Sequence, residues 1–373
     1  MLIVQLNFFM MLLLSGIACH AWYKLDRKEP VYQPFFRLLS MTLLILLLEI
    51  LSDLLNSELY LHFIPLHKMV DMLGFLLAPV VPICAILYVY KRICRYKKIH
   101  TRAFLLLTLP FVVNGIFSVG SLMFNWIFTI NDVNMYHRGP LFFISPLTCY
   151  FYYFVNAALL FRVRDKIGRE EMMVLSLFTV IPSILSFAQL YYFIYLTIWN
   201  SIAVAVVINY IFIVNCQMKM DPLTRLGNRI AYAEYLAVLG RKKDIVLAVI
   251  NMDLDDFKNI NDTCGHHEGD QVLQLFARQL EDVFGENGIC IRWGGDEFMV
   301  LLRETRMEVI DGYIAELNQK IDHCNAVAQK PYQIRFSAGV AIFNDSYRTV
   351  DELIEHSDKL MYEAKNKKRE QPR

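Results

Sequence analysis

Two short acidic clusters in the C-terminal part of the sequence could do chemistry. Asp253, Asp255 and Asp256 follow directly on an apolar run, and Asp296 with Glu297 follows Gly294 and Gly295. Carboxylates emerging at the end of a buried strand can meet a ligand there. A second pair on a neighbouring hairpin tip can converge on the same point. Such a set of hard oxygens suits Mg²⁺ together with a nucleoside triphosphate. The two glycines have no side chains, so a phosphate can approach the backbone closely. Either cluster alone would read as a solvated turn; their order and spacing favour one site.

The elements that must position these residues are legible in the periodicity. Asp221-Pro222 is expected to open a helix running toward Leu239. Ile245–Met252, a continuous apolar run, predicts a central strand buried on both faces. Gln271–Phe284 has helical spacing, and Ile289–Trp293 and Phe298–Leu302 are short strands flanking the Gly-Gly-Asp-Glu turn. A helix over Met307–Val327, a strand over Gln333–Ile342 and a final amphipathic helix over Val350–Lys365 complete the order. Without flanking helices this is β-α-β-β-α-β, the ferredoxin-like α/β plan. The plan hosts many functions and decides none.

The remainder of the chain is of another kind. Of 373 residues, 56% are hydrophobic, with 26 Phe and 20 Tyr, and the mean hydropathy is +0.36. Membrane spans are therefore expected. Seven apolar runs qualify: Leu2–Tyr23, Phe35–Leu55, Met69–Tyr90, Ala103–Ile130, Leu141–Phe161, Met172–Tyr191 and Phe193–Asn215. Lys24, Arg27 and Lys28 crowd the first loop, and Lys91, Arg92, Arg95, Lys97, Lys98 and Arg102 the third. Arg162, Arg164, Lys166 and Arg169 crowd the fifth, whereas the intervening loops hold only Lys68 and Arg138. The alternation places odd loops inside, the N-terminus outside and the C-terminal domain in the cytoplasm of a multi-pass inner or plasma membrane protein. No Lys or Arg precedes the first run, which argues against a cleaved signal peptide.

Five prolines (Pro79, Pro82, Pro110, Pro146 and Pro182) are expected to kink their helices. Asn114, Asn156, Gln189, Asn200 and Asn209 are expected to hydrogen-bond between helices. Glu49 and Asp53 share a helix face; Asp53 is expected near the hydrated outer surface, while Glu49 fits hydration there or a role in a cavity or helix pairing. The formal net charge of +1 gives no global attraction to nucleic acid. The eight scattered cysteines form neither a disulfide framework nor a zinc site. The expected division is 1–215 as membrane region, 216–220 as linker and 221–373 as soluble domain.

Five ordered segments resemble the GGDEF-domain diguanylate cyclases. Asp221-Pro222-Leu223-Thr224-Arg225-Leu226-Gly227-Asn228-Arg229 is similar to their opening signature. The stretch Asp253–Asp262 with Gly265–Asp270 resembles their metal and substrate segment, and Arg292–Phe298 carries the motif unbroken. Ser337–Ala341 and Asp358–Lys365 match the closing segments. The resemblance covers Asp221 to Arg369. It implies that Asp253, Asp296, Glu297 and the Leu254 carbonyl hold Mg²⁺, two ions per site, with Mn²⁺ as a substitute. It also implies that Glu297 assists deprotonation of the attacking hydroxyl. Asn261 and Asp270 would read guanine, since a carboxylate accepts from N1–H and the exocyclic amine. Lys258, Lys365 and Arg369 would neutralise the triphosphate, with Gly294 and Gly295 beneath it.

The implied reaction joins two GTP molecules into cyclic di-GMP with loss of pyrophosphate, in a two-fold homodimer. A signal from outside or within the membrane would act through the spans. The alternative is a non-catalytic module that senses GTP or a cyclic dinucleotide. Two departures stand out. Gly285-Glu286-Asn287-Gly288 occupies the place of the inhibitory Arg-x-x-Asp product site, and Lys368 replaces the usual glycine before Arg369. His266 and His267 are expected at the surface or in structural roles.

Overall fold

The computed structural model describes all residues except 1, 28, 30–31, 94–100, 165–166, 192–197, 240–245, 329 and 371–373. The expectations on Lys28, Arg95, Lys97, Lys98, Lys166, Ile245 and the start of the last apolar run fall outside the described residues, as do the side chains of Arg102, Gln189 and Arg369. The chain forms two compact units, residues 1–213 and 214–373.

The first unit is helical: α1 (Leu2–Lys24), α2 (Tyr32–Leu55), α3 (Ile64–Leu77), α4 (Val80–Ile93), α5 (Thr101–Phe124), α6 (Ile144–Val163), α7 (Arg169–Tyr191) and α8 (Ile198–Met218), whose last turns pass into the second unit. Among the described residues, six segments are long and apolar enough to cross a bilayer: α1, α2, Glu58–Arg92, Leu107–Phe124, α6 and α8. Val112, Ile116, Val119 and Met123 are all exposed and lie on one face of α5. Such a stripe calls for an apolar surrounding.

Four of the named asparagines pair helices. Asn114 Nδ2 donates to the Phe75 carbonyl, Asn156 Nδ2 to Thr179 Oγ1, Asn200 Nδ2 to Asn7 Oδ1, and Asn209 Oδ1 accepts from Tyr88. Glu49 accepts from Asn7 at 2.7 Å, so it is engaged in a polar ladder joining α2, α1 and α8.

Two expectations for this unit need correction. The fourth apolar run does not remain helical to Ile130: Asn125 takes a left-handed backbone (φ 54°) and ends α5. Phe128–Ile130 then forms β1, paired antiparallel with β2 (Tyr136–Arg138). Of the five prolines, only Pro79 separates two helices, α3 and α4. Pro82 and Pro146 lie in first turns, where a missing N–H costs nothing and no kink is called for. Pro110 and Pro182 sit inside α5 and α7, the setting in which a proline kink is expected.

The second unit runs α9 (Arg229–Leu239), β3 (Ala248–Leu254), α10 (Phe257–Cys264), α11 (His266–Phe284), β4 (Gly288–Gly294), β5 (Glu297–Leu302), α12 (Met307–Ala328), β6 (Phe336–Ile342) and α13 (Val350–Glu370). The strands form one sheet in the order β4-β5-β3-β6, every pair antiparallel. Every residue of β3 is buried. Ala248, Ile250, Met252 and Leu254 pack on one face with Phe276, Leu280 and Leu317 of α11 and α12. Leu247 and Val249 pack on the other with Leu239 and Leu353 of α9 and α13. Period two thus assigns the two faces, and the odd-numbered face becomes polar at Asn251, which donates to Ser357 Oγ of α13 at 2.7 Å.

One helix is shorter than expected. Residues 221–228 form a loop rather than the first turns of α9, with Arg225 left-handed at φ 66°. Asp221 uses its carboxylate to accept from Thr224 N and Oγ1 at 2.8 and 2.7 Å. Gly227 then bonds the edge of β4 through the Cys290 carbonyl and the Arg292 N–H. The Asp-Pro pair that reads as a helix start instead makes a turn laid along the sheet edge.

Candidate functional site

The odd face of the sheet carries the site. Asp253 is two residues beyond Asn251 on β3 and lies opposite Glu297 of β5 and Ser337 of β6. Cross-strand partners share a face, so both carboxylates point the same way. The Leu254 N–H donates to the Asp296 carbonyl at 3.2 Å, which fixes the hairpin tip against the end of β3. Asp255 continues the same row and accepts from Ser337 Oγ at 2.7 Å.

Helix α13 supplies positive charge to this face. Lys365 Nζ pairs with Asp253 Oδ1. One turn on, Lys368 Nζ donates to Asp255 Oδ2 at 3.1 Å and to the Phe336 carbonyl at 2.5 Å. The helix can lie this close because Gly339 has no Cβ: one placed there would run into the Ser357 carbonyl and the Met361 N–H of α13.

The Gly-Gly tip is held from the opening loop. Gly295 has φ 52°, a conformation that disfavours side chains. Its carbonyl accepts from Arg292 Nε and Nη2 at 3.1 and 2.9 Å, and Arg292 Nη1 reaches Asp221 Oδ1 at 3.1 Å. Burial opposes ionisation of Asp221, but the Thr224 bonds and the Arg292 guanidinium hold its carboxyl below the ordinary value. Arg229 donates to the Trp293 carbonyl at 2.9 Å and lies over its ring. Together Asp221, Asn228, Arg229, Ile230, Arg292, Trp293, Gly294 and Gly295 line an open cavity of about 410 Å³.

The electrostatics favour a cation. Burial pushes the Asp253 carboxyl up against the pull of Lys365, and Asp296 and Asp255 add repulsion. Glu297 is also raised, by partial burial first and then by Asp253, Asp296 and Asp358. Carboxylates held above their ordinary range by burial and repulsion are relieved by positive charge, and hard oxygens fit Mg²⁺. Among the described residues no three His, Cys, Asp or Glu side chains already surround one point as metal ligands do. At present Lys365 supplies the charge that Asp253 receives.

The other implied ligands fall into a second group. Asn261 lies on α10 with its side-chain amide against Gly269, next to exposed Asp270 on α11. Lys258 is exposed in the first turn of α10. The fold therefore gathers Asp253, Leu254, Gly294, Gly295, Asp296, Glu297 and Lys365 at one strand end, with Lys258, Asn261 and Asp270 on the helices that follow it. Arg292, Ser337 and Lys368 were not singled out from the sequence as site residues. The spacing of Lys368, three after Lys365 on one helix, was the available signal.

Residues 218–371 match the family described as Diguanylate cyclase, GGDEF domain. A diguanylate cyclase of Vibrio cholerae is 32% identical over 148 residues, covering 39% of this chain and 46% of that one. The cyclic di-GMP phosphodiesterase PdeB of Shewanella oneidensis is 34% identical over 156 residues, covering 40% and 17%. The crystal structure of the DgcB GGDEF domain from Caulobacter crescentus in complex with c-di-GMP aligns at a TM-score of 0.36 and 25% identity, over 40% of this chain and 91% of that one. The chain spans less than half the length of these curated relatives. The family match and the relatives together support a GGDEF domain in residues 218–371 of this chain.

Proposed function

We propose that the chain is a membrane-anchored diguanylate cyclase that condenses two GTP molecules into cyclic di-GMP and pyrophosphate. The observation that carries this reading is the register: Asp253 faces Glu297 across β3 and β5, with the unbroken Gly294-Gly295-Asp296-Glu297 tip beside them. The strand order β4-β5-β3-β6 supports a ferredoxin-like core. Asp253, Asp296, Glu297 and the Leu254 carbonyl would hold Mg²⁺, which supplies charge neutralisation at the triphosphate. Glu297, with its raised carboxyl, is suited to accept the proton of the attacking 3′-hydroxyl. Asn261 and Asp270 select guanine, while Lys258 and Lys365 offset phosphate charge, joined by Arg369. One domain holds one GTP and the product has two reciprocal bonds, so two chains face each other about a two-fold axis.

In the membrane, α7 added to the six apolar candidate segments makes seven crossings, which puts the N-terminus outside and the second unit in the cytoplasm. A non-catalytic sensing role draws on one observation, the Lys365 ammonium already seated on Asp253. Incubating the purified full chain with GTP and Mg²⁺ separates the two. Cyclic di-GMP should form, and Glu297→Gln should lower the rate about 10²-fold or more while the protein still binds GTP. Tight GTP binding without turnover in the wild-type chain would favour the sensing module.

A further inference from the structure

The helical unit contains a cavity of about 360 Å³, at the lower end of the roughly 300–1,000 Å³ range of small-molecule pockets. Its wall combines aromatic rings, among them Phe75, Tyr136, Phe142 and Trp199, with the carboxylates of Glu49, Asp53 and Asp71. Glu49 is engaged by Asn7. Asp71 is different: it is only 6% exposed, its Oδ1 accepts from Ser52 at 2.6 Å, and its Oδ2 has no hydrogen-bond donor among the described residues.

The group beside that oxygen explains why. His67 is fully buried, and its Nε2 lies 3.6 Å from Asp71 Oδ2, too far for a hydrogen bond. Asn134 donates its Nδ2 hydrogens to the Leu55 and Tyr60 carbonyls, so its Oδ1 faces His67 Nδ1 at 2.9 Å. His67 thus meets Asn134 through Nδ1 and reaches Asp71 at ion-pair range without a hydrogen bond. Glu49, Asp53 and Asp71 all line this one cavity, and carboxylates gathered away from water are relieved by a cation seated among them. Among the described residues neither Lys nor Arg lines the cavity; Arg138 sits over Phe142 but is exposed on β2.

We infer that this cavity is a binding site for a small organic ammonium ion, its charged head on Asp71 and Asp53 and its body against the aromatic wall. Rings facing such a head add cation–π attraction. A bare metal ion is the competing occupant, and titration with Mg²⁺ alone separates the two. The site lies wholly within the first unit, so it stands whether or not the second unit makes cyclic di-GMP.

Calorimetric titration of the full chain in lipid nanodiscs, without GTP, tests this. The probes are tetramethylammonium, benzylammonium and phenethylammonium, with 2-phenylethanol and phenylacetate as neutral and anionic counterparts and Mg²⁺ alone. At least one ammonium should bind saturably and neither counterpart should. Asp71→Asn and Asp53→Asn should each weaken it about tenfold or more. Should Asp71→Asn fail to fold, Asp53→Asn and the wild-type series still decide. Equal binding of the alcohol, no saturable binding of any ammonium, undiminished binding in Asp53→Asn, or binding of Mg²⁺ alone would overturn the proposal.

Discussion

Gly285 and Gly288 stand where many GGDEF domains carry the Arg and Asp of a product-inhibition site. The fold leaves little room for those side chains. A Cβ on Gly285 would lie 2.5 Å from the Glu281 carbonyl, and one on Gly288 would lie 2.7 Å from the Leu301 carbonyl. A guanidinium clamp for the product is thus missing in kind and blocked in space. Low-micromolar cyclic di-GMP is expected to leave the initial rate of GTP turnover unchanged. Inhibition that disappears on mutating residues 285–288 would contradict this. The acidic residues of the candidate site stood out in the sequence because the chemistry proposed for them is carried by type and spacing alone. Lys368 was not: its bonds to Asp255 and the Phe336 carbonyl depend on how close α13 approaches the sheet.

That approach is a property of the elements. Helix α13 rests on β6 at Gly339, and the contact brings Lys365 and Lys368 over the acidic row. Gly339→Ala is expected to destabilise the second unit by about 1–3 kcal/mol through overpacking. It should also raise KM for GTP, since the two lysines move with the helix. Thermal unfolding together with steady-state kinetics would check both, and an unchanged Tm would refute the packing argument. Strands and helices of this unit were readable wherever the period was clean, as along β3 and α11. They were misread where one local signal serves two structures. Asp221-Pro222 can cap a helix or make a turn, and here the Arg292 partner decides for the turn. Likewise Phe128–Ile130 is as apolar as the helix before it, and only the left-handed Asn125 reveals the change to a strand.

For the whole molecule, the proposal of a regulated enzyme predicts a dependence on residues 1–215. Replacing them by an unrelated dimeric anchor should preserve GTP turnover but alter its rate in membranes. An identical rate under every condition tried would remove the case for regulation through the spans.

The ladder Glu49–Asn7–Asn200 bears on how α8 could carry such an influence. Asn200 and Asn7 are fully buried, so no water stands ready to replace a bond broken between them. Turning α8 by a small angle would forfeit that bond with nothing in return until another partner came into reach. Its orientation should then resemble a dial with click stops rather than a freely sliding scale, and intermediate settings would be scarcely occupied.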